Sequence, residues 1–475
     1  MKLSAGTYPL KTVCMAWFAL VLGPAASPAA DTAAGSPRPN FVVILIDDMG
    51  YGDIGPFGSK LNRTPCLDRM AVEGMRLTSF YAAPVCTPSR AQMMTGCYAK
   101  RVSLPNVLGP VSRIGISSSE RTVADLLRQQ GYATMCIGKW HLGDQPPFLP
   151  TRHGFEHYLG LPYSNDMGRP PVPLLRDQRV IEAPVQQDKL VERYTEEAVK
   201  FITANKDRPF FLYLPHTAVH VPIHPGKAFQ GKSANGRYGD WVEEVDWSTG
   251  RVLDTLRTLK LDGRTLVLFT SDNGPWRCKG KDGGVAGPLR GGKFSTWEGG
   301  VREPTIARWP GRIAAGTACD AMMSEMDVLP TLVKLAGGAV PSNRVIDGKN
   351  IWPLLSGRSK QSPHKALFYF KSNRLEAVRS GAWKLAVVDQ IENGVDKDKK
   401  PATKPFTPKL FNLDADIGET SDVAAQHPDV VERLQGYIQQ MDGDLGVTGR
   451  GPGVRASGMV DRPQPLLLRN AMEYD

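Results

Sequence analysis

The stretch FVVILIDD, residues 41–48, decides the fold. Six apolar residues without a polar break, rich in Val and Ile, predict a strand buried on both faces, the kind found in parallel sheets. The run ends abruptly in Asp47-Asp48. Three further runs follow the same plan. Residues 133–137 (ATMCI) lead into Gly138-Lys139-Trp140-His141, and 210–214 (FFLYL) lead to His216 and His220. Residues 265–270 (TLVLFT) end in Ser271-Asp272-Asn273-Gly274. Helix-like stretches lie between them, at 122–130, 194–205 and 240–259. Strands alternating with helices predict an α/β fold, with a large mixed, mostly parallel sheet sandwiched by helices. Ligands of such sheets bind beyond the carboxyl ends of the strands, where all four runs place their polar residues.

Those residues share a chemistry. Asp47, Asp48, Asp272 and Asn273 are hard oxygen donors, suited to Ca²⁺ or Mg²⁺ rather than zinc. Lys139, His141, His220 and Lys293 add cations and proton donors. Singly, each has an ordinary explanation: a turn, a cap, a structural histidine. Their recurrence at successive strand ends points to one site.

Cys86-Thr87-Pro88-Ser89-Arg90 adds a reactive sulfur. Thr87 suits a helix cap and Pro88 the first helical position, so the cysteine precedes a helix start. The N–H groups and positive end of such a helix favour an anion, and the Arg90 fork suits a tetrahedral oxyanion.

At 475 residues the chain predicts two domains. Lys2 and Lys11, the apolar stretch 13–22 and the small residues 25–30 read as an export signal over 1–30, too short to span a bilayer. The mature protein is expected to be soluble and either periplasmic or secreted, with no membrane attachment after signal cleavage; the alternative is that the apolar stretch is retained as an anchor. Six cysteines remain after the signal (Cys66, Cys86, Cys97, Cys136, Cys278, Cys319), in no spacing typical of a disulfide framework or a zinc site. The net charge of +10 is spread along the chain without a nucleic-acid motif, so no nucleic-acid partner is expected.

Together these motifs resemble the sulfatase family of the alkaline phosphatase superfamily. The matching segments are 46–50 (IDDMG), 86–90 (CTPSR), 138–143 (GKWHLG), 271–274 (SDNG) and 289–304 (LRGGKFSTWEGGVREP), with a weaker match at 410–419. The last strong segment and Pro162-Tyr163-Ser164 are most similar to the arylsulfatase A and N-acetylgalactosamine-6-sulfatase branch.

The resemblance implies an alkaline phosphatase-like fold and a sulfuric ester hydrolase. Cys86 would be oxidised to formylglycine (3-oxoalanine) by a separate formylglycine-generating enzyme. One hydroxyl of the hydrated aldehyde attacks sulfur; the other, deprotonated, expels sulfate, whereas a serine would leave a stable ester. By position, Arg90 and Lys139 would hold hydrate and sulfate oxygens, and His141 would take the proton. His220 and Lys293 would meet the leaving alkoxide, and Asp272 would activate the nucleophile. One Ca²⁺ would be held by Asp47, Asp48, Asp272, Asn273 and the residue derived from Cys86. Ser164 and Asp166 fall where relatives place a loop lining the site, and Ser164, with Lys139, His220 and Lys293, is expected at the substrate. Among the nearby histidines 216, 220 and 224, the spacing to Pro222 selects His220. The family's usual arginine after Thr-Gly is here Cys97.

The implied substrate is an aryl or, preferably, a carbohydrate sulfate ester. The alternative is a phosphonate monoester or phosphodiester hydrolase of the same superfamily, and a third class is a non-catalytic glycan-binding relative. The expected organisation is a catalytic domain over 38–345, a smaller C-terminal α+β domain over 365–445 and a tail over 446–475. Residues 376–379 and 383–388 predict a hairpin around Ser380-Gly381, and 428–441 predict a helix. Residues 396–409 read as a solvated loop and the tail as loose.

Overall fold

Buried on both faces, the 41–46 run forms the strand at the centre of the sheet. A computed structural model describes residues 1–3, 38–392 and 406–467. Most of the expected export signal and most of the 396–409 loop lie outside the described residues. Strand β1 (Asn40–Ile46) pairs in parallel with both β3 (Phe210–Pro215) and β4 (Thr265–Ser271), and β2 (Ala133–Ile137) pairs in parallel with β3. The strand Arg302–Arg308 then runs antiparallel beside β4, which makes the eleven-stranded sheet mixed. Side chains alternate faces along β1, as strand geometry requires. Phe41, Val43 and Leu45 join a core with Ala91, Met93, Leu127 and Leu332; Val42, Ile44 and Ile46 join another with Tyr194, Ile202, Val245 and Leu253. Two helical layers therefore sandwich the sheet, and each buried aliphatic side chain contributes about 1.5–3 kcal/mol.

A second, four-stranded antiparallel sheet orders the strands Leu367–Lys371, Arg374–Ser380, Trp383–Ala386 and Lys409–Asn412. The hairpin turns at Gly381, whose φ of 60° is easily adopted only without a Cβ. Val430 and Leu434 of the helix Pro428–Asp444 pack on Val378, Leu385 and Leu410. Buried Lys384 ties this sheet to the rest, bonding Glu298 at 3.1 Å and Glu419 at 2.7 Å.

The tail differs from its expected looseness. Gly458–Met459 pairs antiparallel with Ile114–Gly115, and Arg455 binds Glu120 through two nitrogens at 2.7 and 2.9 Å. Its guanidinium also reaches the sulfur of Cys97, at 3.3 Å. The prolines and glycines signalled loop conformation; long-range partners then fixed it. All six described cysteines are free thiols, and no described helix is long and apolar enough to cross a membrane.

Candidate active site

The four central strands deliver their polar residues to one edge of the sheet. Beyond β1, Asp47 N donates to the Ala218 carbonyl and Val219 N to that of Asp47, so the pairing of β1 and β3 continues into the site. Asp48 then takes a left-handed conformation, φ 61°, which costs a non-glycine residue on the order of 1 kcal/mol and turns the chain out of the sheet. After β2, a Cβ on Gly138 would lie 1.8 Å from the Pro215 carbonyl oxygen, so only glycine lets Lys139 enter.

The helix α1 (Cys86–Thr95) begins earlier than Thr87 and Pro88 predicted: extended Val85 precedes it, and Cys86 is its first residue. Thr87 does not cap. Its hydroxyl donates to the His141 carbonyl at 3.0 Å and accepts from Leu108 N at 3.2 Å, joining the helix start to the loop after β2. Ser89 is likewise occupied by the Ala83 backbone. Cys86 is therefore buried at a helix N-terminus free of side-chain caps. Burial pushes its thiol up, while nearby Lys139 and Lys293 pull it down.

Two buried ion clusters face this cysteine. In one, Lys139 Nζ contacts Asp47 Oδ2 at 2.5 Å, and Arg90 donates from Nε and Nη2 to Asp272 Oδ2 at 3.0 and 2.7 Å. In the other, Lys293 Nζ contacts Asp48 Oδ1 at 2.7 Å, Asn273 Nδ2 donates to that oxygen at 2.8 Å, and His220 Nε2 stands 3.6 Å from Asp48 Oδ2. Burial would raise the Asp47 carboxyl, but the charges of Lys139 and Arg90 outweigh it and hold the group well below the usual carboxylate range. Asp272 goes the other way, raised by burial and by the charge of Asp47.

Each expected residue can now be located. Asp47, Asp48, Cys86, Arg90, Lys139, His141, His220, Asp272, Asn273 and Lys293 converge, and Ser164 joins them by accepting from Lys139 Nζ at 3.3 Å. Asp166 is exposed and makes no such contact. Arg90 is also engaged within the site. Its remaining nitrogen, Nη1, donates to the Lys139 carbonyl at 2.6 Å, so its fork orients Asp272 and the loop after β2. His216 turns to the interior, 3.3 Å from the Ser248 hydroxyl, and His224 packs beside Trp241, leaving His220 at the carboxylates. His141 Nε2 lies 2.8 Å from the Leu108 carbonyl and must donate there; its Nδ1 is buried without a partner. Burial, Lys139 and Arg90 keep this imidazole neutral, so Nδ1 carries a free lone pair.

Sequence reasoning missed three supports. Asn165 donates to the carbonyls of His220 and Pro222 at 3.4 and 3.3 Å. Ser271 Oγ accepts from Met49 N at 3.0 Å. Trp276 sets its ring against His220 and Lys293. These small polar and aromatic residues show no periodicity; only their adjacency to the motifs Tyr163-Ser164 and Asp272-Asn273 could have drawn attention.

The donor set fits a hard cation. Asp47 Oδ1 and Asn273 Oδ1 are buried oxygens without hydrogen-bond partners, and Asp47, Asp48 and His220 bring ligand atoms within 4.8 Å of one another. Buried oxygens left unpaired are costly unless something positive meets them.

Comparisons with known proteins place the chain among known families. The Sulfatase family model matches residues 39–339, and that for the C-terminal region of aryl-sulfatase matches 362–449. N-acetylgalactosamine-6-sulfatase of Canis lupus familiaris is 38% identical over 455 residues, covering 86% of this chain and 87% of its own. Arylsulfatase A of Bos taurus is 40% identical, covering 87% and 89%. Among solved structures, PsFucS1 sulfatase from Pseudoalteromonas sp. superposes with a TM-score of 0.76 at 28% identity, covering 87% of this chain and 92% of its own. A phosphonate monoester hydrolase from Silicibacter pomeroyi, at 17% identity and a TM-score of 0.64, shares the fold alone.

Proposed function

The chain belongs to the sulfatase family and is a sulfuric ester hydrolase, and we propose that it removes sulfate from a carbohydrate with formylglycine at position 86 and Ca²⁺. The observation that carries the proposal is a buried cysteine at a helix start, within electrostatic range of Lys139, Lys293, Asp47 and Asp272. Two buried oxygens without hydrogen-bond partners, Asp47 Oδ1 and Asn273 Oδ1, lie in the same cluster.

Converted and hydrated, position 86 would supply two hydroxyls on one carbon, one to attack sulfur and one whose deprotonation releases sulfate. Ca²⁺ between Asp47, Asp48, Asp272, Asn273 and that residue would draw charge from the sulfate oxygens. The chain's own groups do the rest. Lys139 and Lys293 are preorganised cations where negative charge redistributes, the arrangement that usually gives the largest catalytic term. His141 offers the Nδ1 lone pair as the base for sulfate release. Lys293 is held as an ammonium by Asp48 and would meet the leaving oxygen. Burial and Lys293 keep free His220 neutral; a bound sulfate acts oppositely and favours its protonated, donating form. Arg90 positions Asp272, and Ser164 steadies Lys139.

The division into a catalytic domain over 38–345, a small domain over 365–445 and a tail from 446 is part of this reading, as is export through residues 1–30. The sugar is the expected substrate because a similar protein carries N-acetylgalactosamine-6-sulfatase as its name. The test is kcat/KM for sulfate release from N-acetylgalactosamine 6-sulfate and an aryl sulfate, against the matching aryl phosphate and phosphonate. The chain is co-expressed with a formylglycine-generating enzyme and assayed with Ca²⁺ beside Cys86→Ala. Preference for sulfate that vanishes in the variant is expected; turnover mainly of phosphorus esters would overturn the reading.

A further inference from the structure

The segment after Asn273 carries charges that the hydrolytic site does not use. Arg277–Asp282 reads RCKGKD, three cations against one carboxylate, and residues 277–281 are exposed. Lys279 and Lys281 are exposed and form no ion pair among the described residues.

The segment is held firmly at both ends. Lys279 N donates to the Trp276 carbonyl at 2.9 Å. Gly283 packs so closely on Trp276 that a Cβ there would lie 2.3 Å from its carbonyl oxygen. Val285 N donates to buried Asp53 at 3.0 Å, and the Val285 carbonyl accepts from Gly52 N. Two anchored ends present the lysines at a fixed place rather than on a free tether.

Lys279 borders the reaction centre. The Lys279 ammonium lies 4.3 Å from the centroid of the Trp276 ring, and the Lys293 ammonium lies 4.5 Å from the same centroid. Their separation is therefore at most about twice that length. His220 packs on the same ring, with centroids 5.5 Å apart. Lys293 is already neutralised by Asp48, but Lys279 is not. One aromatic plate thus joins a cation committed to the scissile group and a cation left for something else.

We propose that Lys279 centres an anion-binding subsite beside the reaction centre, with exposed Lys281 of the same segment adding to its charge. It takes a second anionic group, a sulfate or a hexuronate carboxylate, carried on the same sugar as the scissile ester or on the adjoining one. The proposal rests on the sulfatase reading of the site and narrows its substrates to multiply charged glycans. Attraction between exposed charges is modest and screened by salt, so the subsite selects among substrates more than it creates affinity.

Binding to the full-length Cys86→Ala chain, measured by calorimetry with Ca²⁺ at low salt, tests it without turnover. The probes are N-acetylgalactosamine 6-sulfate, the 4,6-disulfate, and a disaccharide joining the 6-sulfated sugar to a hexuronate. The doubly charged probes should bind about three- to fivefold more tightly than the monosulfate. Adding Lys279→Ala and Lys281→Ala should bring that ratio close to one. The arm that loses its advantage identifies sulfate or carboxylate as the group recognised. A ratio near one in the parent, a ratio that survives the double substitution, or no binding of any probe overturns the proposal. Sulfate release from an aryl sulfate by the converted chain reports separately on the underlying reaction.

Discussion

Lys139 Nζ sits 2.5 Å from Asp47 Oδ2 with both side chains completely buried. Neither charge has water to fall back on, so each depends on the other. Removing one partner of a buried pair leaves an uncompensated charge at a cost of about 3–5 kcal/mol. Lys139→Met should lower stability by that order and kcat/KM by at least ~100-fold. Adding Asp47→Asn should restore most of the stability, read by denaturant unfolding, while turnover stays lost. Recovery of both would mean that the pair is only structural.

Position 86 should tolerate substitution in the fold but not in the reaction. Cys86 heads its helix without a hydrogen bond that another small side chain would lose. Cys86→Ala and Cys86→Ser should unfold within about 1 kcal/mol of the parent. The alanine should abolish sulfate release, and the serine should stop after one turnover. Burst kinetics and the mass of the peptide containing residue 86 decide this.

Calcium should stabilise the protein as well as activate it. A ligand at a hundred times its Kd adds about 2.7 kcal/mol to the folded state. Chelation should therefore lower Tm and remove activity together. Asp48→Asn or Asn273→Ala should blunt both responses, because Asp48 and Asn273 share one hydrogen bond at the proposed ion position. A Tm indifferent to chelation would count against a bound ion.

The two histidines after β3 should separate cleanly. His220 touches Asp48 and packs on Trp276, so His220→Gln should cost about 10²–10³ in kcat/KM. His216 lies inside, and His216→Gln should move stability while leaving KM and kcat within about threefold.

Two buried groups away from the reaction give opposite pH slopes. Burial lowers His216 to about 3, so between about pH 3 and 6.5 the unfolded chain binds the extra proton and stability falls as pH falls. Burial raises Glu244 to about 7, so between about pH 4.5 and 7 the folded chain keeps the proton and stability falls as pH rises. Glu244→Gln should remove a penalty on the order of 2–3 kcal/mol and raise Tm at pH 8 but not at pH 4. A gain equal at both pH values would reject this account.

Much of the site was legible because its residues are tied to strand ends. FVVILI needs burial on both faces, so its period and composition reveal a central strand, and whatever follows such a strand lands at the sheet edge. Asp47, Lys139, His220 and Asp272 were readable for that reason. The helix start was misread by one residue because Thr87 suits a cap in isolation, yet folded it meets His141 instead. The tail was misread because Gly and Pro signal irregular backbone, and irregular does not mean unattached.

The sequence by itself determined the order of the strands along the chain, the kinds of atoms at their ends and the cysteine at the helix start, since these follow from local pattern and residue chemistry. The tertiary structure alone decided which of three histidines faces the carboxylates, that Arg90 spends its donors on Asp272 and the Lys139 carbonyl, and that Trp276 brings Lys279 beside Lys293. Arg90 and Asp272 are 182 positions apart in the chain. Contacts of that range depend on how whole layers pack, and no local pattern records it.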